Sequence, residues 1–225
     1  MIKKIFLLLL CLFVTSCNIK VSTPIKVSEL MDEENSVVIA TLKVRLDSKL
    51  GDYDAQIKQI EQTLKSKGVK AHYLSKTEQE NSNTLALFSV PLEIVKSGKT
   101  QKLENQIYLM FENNELSIRT SNDFASFLNY KASDKEYSIK LKSFELLLTN
   151  DMEEDVFLKA YSVFVDSKAV LMDHFTLAPF ATVNVSLSDV ANRIITNSSA
   201  RYTIFLLNDS IEALSRQNVR NLMGR

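Results

Sequence analysis

The chain has 225 residues, and its 27 lysines and arginines are balanced by 27 acidic residues, so the formal net charge is zero. That balance offers no electrostatic case for a nucleic-acid partner, which calls for a clustered basic surface. With only four glycines and three prolines, glycine-rich phosphate cradles are excluded, and long strands and helices with few glycine-built loops are expected.

The chain opens with Lys3 and Lys4, then the apolar run Ile5 to Val14, then Thr15, Ser16 and Cys17. A basic start, a short apolar segment and small residues before a cut make the layout of a secretory signal. About ten apolar residues are too few to span a bilayer, which takes roughly 20. Val14-Thr15-Ser16-Cys17 resembles the lipobox of bacterial lipoproteins. The resemblance implies that residues 1–16 are a signal peptide and that Cys17 is acylated and becomes the new N-terminus. It implies a cell-envelope protein bound to the membrane by two or three acyl chains, enough for stable anchoring. Asn18 stands where an Asp would retain such a protein in the inner membrane of enteric bacteria, so an outer-membrane site facing the periplasm is expected. Cys11 leaves with the signal, so Cys17 has no disulfide partner and the folded part must be stable on packing alone. Losing Lys3 and Lys4 leaves 25 basic and 27 acidic residues.

Residues 17–35 are polar, contain Pro24, and read as a tether with at most one turn of helix at Ser28 to Met31; Asp32-Glu33-Glu34 reads as a solvated loop. A first domain is expected over 36–131. Val38, Ala40, Leu42, Val44 and Leu46 alternate with Thr41, Lys43 and Arg45, the period of a half-buried strand. Tyr53, Ile57, Ile60 and Leu64 form one stripe of an amphipathic helix that Gly68 ends. Val69, Ala71 and Tyr73 alternate, and a longer strand runs from Thr84 to Val95, with Pro91 marking an edge or a bulge. Asn113-Asn114 as a two-residue turn pairs Phe111 with Leu116 and Leu109 with Ile118, which puts Ile107, Leu109, Phe111, Leu116 and Ile118 on one face. Ser121 or Asn122 can cap a short helix through Phe124, Phe127 and Leu128.

From Ala132 to Arg225 a second domain is expected, almost continuous strand. Tyr137, Ile139 and Leu141 give way to Phe144, Leu146 and Leu148, a phase shift that places a bulge near Ser143. Hairpins follow across Thr149 to Asp155 and Asp166 to Lys168, then strands at Ala169–Leu177 and Thr182–Leu187 with Pro179 between them. Ser188-Asp189 can start a short helix, Tyr202, Ile204 and Leu206 mark a last strand, and the tail from Asp209 to Leu222 reads as a helix. The fold class is therefore expected to be α+β, an antiparallel sheet with one packed helix followed by a β-sandwich-like region.

Candidate chemistry is thin. His72 and His174 are the two histidines, and nothing fixes their spacing for a metal. No GxSxG elbow supports a catalytic serine, and no carboxylates pair as glycosidase chemistry requires. Cys17 as a lipid site is the sole candidate residue; no catalytic, cofactor or metal residue is assigned, and no enzyme is expected. Phe144, Leu146, Leu147, Leu148, Phe175, Leu177 and Phe180 read as core, with an acyl-chain groove as the alternative. The expected function is a non-enzymatic binding or assembly module with an envelope protein partner, in envelope machinery or in phage- or plasmid-encoded surface exclusion. A carrier of lipid or lipoprotein is the alternative, and a hydrolase the third.

Overall fold

The computed structural model describes residues 15–48, 51–78, 84–104, 107–128, 137–197 and 200–208. The bulk of the expected signal peptide, the boundary at 132–134 and the expected tail helix lie outside these residues.

Among the described residues, eleven strands form one sheet: β1 (Thr15–Lys26), β2 (Ser36–Arg45), β3 (His72–Glu78), β4 (Thr84–Lys96), β5 (Ile107–Glu112), β6 (Glu115–Thr120), β7 (Tyr137–Thr149), β8 (Val156–Val165), β9 (Lys168–Leu177), β10 (Thr182–Leu187) and β11 (Tyr202–Asn208). Nine of them, in the order β10-β7-β1-β2-β4-β5-β6-β11-β8, make a ring. It closes where Val163 to Val165 of β8 pair with Val185 to Leu187 of β10. The protein is thus mostly β, built on a closed nine-stranded barrel. This corrects the expected α+β sheet followed by a β-sandwich. Closure removes the open edges that a sandwich would leave.

The two regions expected as separate domains are joined once directly, by β6 and β11, and once through β1, a strand of the expected tether that lies between β2 and β7. β1 runs parallel to β7 along its whole length, and β11 pairs antiparallel with β6. Residues 18–26, expected as a tether, are therefore a barrel strand: Ile19, Val21, Thr23 and Ile25 are buried and Lys20 is exposed. Pro24 lies beyond Ser22, the last β1 residue paired with β2, so its missing amide breaks no ladder there. Pro91 is placed by the same logic. β4 pairs with β3 through Ser89 and with β5 from Glu93, and Pro91 falls where it changes partners.

Among the described residues, four helices accompany the sheet: α1 (Val27–Met31), α2 (Tyr53–Ser66), α3 (Asn122–Leu128) and α4 (Asp189–Asn197). The Asp52 carboxylate accepts from the amides of Asp54 and Ala55 and starts α2, which buries Ile57, Ile60 and Leu64 in the common core. Ser121 caps α3 by accepting from the Phe124 amide. α3 and α4 touch each other, and α4 reaches β10 and β7 on one flank of β8, and β11 and β6 on the other. Phe124 and Phe127 of α3 join Phe88, Phe144 and Phe205 from the strands, all without solvent exposure, so side chains fill the barrel.

Lys96, at the end of β4, is buried, and its ammonium donates to the carbonyls of Glu29 (2.5 Å) and Leu30 (2.7 Å) at the end of α1. It lies over the Phe111 ring at 5.4 Å. Burial pulls its pKa below the usual 10.5, against the opposing fields of Asp32 and Glu29. Between the lowered folded value and 10.5 the unfolded chain holds more protons, so this group makes stability rise with pH there. Measured as urea midpoints from neutral pH to about pH 10, the stability difference between the wild type and Lys96→Met should move in the wild type's favour as pH rises. A constant difference would refute the assignment.

Candidate functional site

The β8–β9 hairpin turns at Asp166 and Ser167, both with positive φ (46° and 68°) as a two-residue primed turn requires. β9 pairs with β8 along Val156 to Val165 and stands outside the ring. Among the described residues its other edge carries no strand. The hairpin exposes large apolar side chains: Leu171 is 82% exposed, Met172 62% and Phe164 38%. An unpaired edge flanked by exposed apolar groups is a template for adding a strand from another chain, with main-chain bonds for affinity and side-chain contacts for specificity.

The candidate chemical residues do not converge. His174 is exposed on β9 opposite Lys159, and its amide takes the Asp173 carboxylate as acceptor at 2.8 Å. His72 is exposed at the start of β3 opposite Ser89. These strands attach to different members of the ring, and among the described residues no cluster of three His, Cys, Asp or Glu side chains could hold a metal ion. Phe144, Leu146, Leu148 and Leu177 are buried, Phe175 is half-buried, Leu147 is 38% exposed and Phe180 70%. The apolar residues expected as core are therefore split between barrel core and surface. Cys17 lies in β1 with its backbone beside Ile139 of β7.

Two polar residues that the sequence reading passed over are built deep into the structure, Lys96 above and Glu93. Glu93 accepts from the amides of Lys102 (2.9 Å) and Leu103 (2.8 Å) and from the Asn35 side chain (3.1 Å), with no exposed surface of its own. Strand alternation alone puts it on the outward face; the segment after β4 folds back and covers it. Both residues are buried and hold backbone in place.

A family described as Domain of unknown function (DUF7424) matches residues 19–211. No curated protein matches the chain.

Proposed function

The chain belongs to that family of unknown function, and we propose that it is a lipid-anchored cell-envelope protein whose barrel acts as a non-enzymatic binding module for another envelope protein. The reading places it at the outer membrane, facing the periplasm. The observation that carries the binding role is the β9 edge, unpaired among the described residues and bordered by Leu171 and Met172. The anchor rests on the leader and lipobox residues that end at Cys17. Cleavage before Cys17 is compatible with the barrel, because β1 keeps its pairing with β7 from Cys17 to Lys26. The carrier reading finds less support, since phenylalanines occupy the barrel interior where an acyl chain would run.

The test is in-cell crosslinking with mass-spectrometric readout, run beside metabolic acyl labelling. Cys17→Ala should lose the label and leave the membrane pellet. A Leu171→Asp, Met172→Asp double variant should keep the label and lose the crosslinked partner by about tenfold or more, as expected when charge is put into an apolar contact. Acyl labelling that persists in Cys17→Ala would refute the anchor. An undiminished crosslink in the double variant would refute the β9 contact.

A further inference from the structure

We propose that the outer face of β2, β1 and β7, at the end of the barrel that bears Cys17, is a seat for anionic phospholipid headgroups. The proposal takes its membrane from the anchor reading above; its charge arrangement stands independently of it. Burial alternation turns Ile19, Val44 and Leu141 inward, which turns Lys20, Lys43, Arg45, Lys140 and Lys142 outward on three adjacent strands. The register places Lys20 directly opposite Lys43, a like-charge cross-strand pair that is unfavourable unless something else meets it. Lys142 is the extra residue where the β1–β7 register shifts, so Lys140 and Lys142 both lie beside Lys20, whose own partner is Ser143.

Arg193 of α4 extends this face. The Asn192 side chain donates to the carbonyls of Lys142 (3.3 Å) and Leu187 (3.4 Å) and so ties α4 to β7. A cleft of about 340 Å³ opens between them, lined by Lys140, Lys142, Asn192 and Arg193, with Asp189 as the acid on its wall. Among the described residues none of these cations is held in an ion pair. In a stretch, residues 17–225, with slightly more acidic than basic residues, five lysines and arginines of one face plus Arg193 stand against Glu145 and Asp189, a local excess of positive charge among the described residues. Val190, beside the cleft on α4, is 66% exposed and adds an apolar contact at the same end.

The anchor decides which anion this face meets. Lys20 is three residues from Cys17 along a strand, about 10 Å at the usual rise, and Asn18 is the register partner of Lys140. A lipid on Cys17 would hold the cations within about a screening length of the headgroups. Each cation near an anionic bilayer adds attraction that salt weakens. The cleft is wide enough for one phosphate-bearing headgroup between Lys140, Lys142 and Arg193.

Amine labelling of the protein extracted from membranes and placed in nanodiscs tests this, with discs of phosphatidylcholine alone compared with discs containing phosphatidylglycerol. In the phosphatidylglycerol discs at low salt, acetylation of Lys20, Lys140 and Lys142 should fall by about threefold or more. It should recover near 1 M salt, where the screening length is roughly 3 Å. Lys58 on α2 and Lys168 on β9 should label equally in both discs. Equal labelling of Lys20, Lys140 and Lys142 in both discs would overturn the proposal. The same peptide map reads the acyl mass on Cys17, so the two failures separate. Protected lysines without an acyl group would sink the anchor and keep the headgroup seat; an acyl group with unprotected lysines would do the reverse.

Discussion

Phe144→Ala is expected to lower the free energy of unfolding by about 3–5 kcal/mol, read as a fall in the urea midpoint with an unchanged slope. The Phe144 side chain is fully buried on β7, between its register partner Val21 on β1 and the strand β10. Removing a fully buried phenylalanine forfeits roughly 1.5–3 kcal/mol of transfer free energy, and the cavity left behind adds to that. The cavity should persist because β7 is hydrogen-bonded on both sides within a closed ring, so its walls have little freedom to collapse. Leu147→Ala, on the outward face three positions along and 38% exposed, should cost about 0.5 kcal/mol. A small loss at Phe144 would mean that it lines an open groove, and the lipid-carrier reading would return.

Glu93→Ala should cost a similar amount, about 3–5 kcal/mol, for an electrostatic reason. The Lys102 and Leu103 amides and the Asn35 side chain all aim their donors at one carboxylate. Asn35 passes the connection on, accepting from the Lys96 amide at 2.9 Å and donating to the Thr100 carbonyl at 3.0 Å. Without the carboxylate, the Lys102 and Leu103 N–H groups of the covering segment lose their acceptor, and each unpaired group that stays buried costs roughly 1–3 kcal/mol. Glu93→Gln keeps the shape and one acceptor oxygen but turns an amide N–H₂ toward donors. It should recover part of the loss in denaturant unfolding. Full recovery would show that volume, and not the carboxylate, holds the segment.

Local features were legible in the sequence because they depend on residues a few positions apart. The Asn113-Asn114 turn is the clearest case: both residues have positive φ (50° and 62°), and Phe111 pairs with Leu116 and Leu109 with Ile118, as the apolar alternation requires. The Tyr53 to Leu64 stripe became α2, with Gly68 at φ 70° ending it. The phase shift near Ser143 is the register shift in which Lys142 is the extra residue. The first strand is masked in the sequence for an identifiable reason. Ile19, Val21 and Ile25 carry a period-two signal, but Pro24 and the polar residues between them weaken it, and their place just after the basic and apolar start of the chain favours a tether.

The sequence by itself determined the apolar faces of β2, β4 and the β5–β6 hairpin, the Asn113-Asn114 turn, and the residues that end α2 and start α3 and α4. Those choices are settled by side-chain period and turn chemistry within a single element. Which strand lies beside which was decided only in the tertiary structure. A strand with one apolar face satisfies a sandwich and a barrel equally well, and the parallel β1–β7 seam joins residues more than a hundred positions apart. The same long-range folding buried Glu93 and Lys96, left the β9 edge outside the ring, and gathered Lys20, Lys43, Lys140, Lys142 and Arg193 from distant parts of a chain with no net charge. Charge clustering and edge exposure are properties of the assembled surface, and composition averages them away.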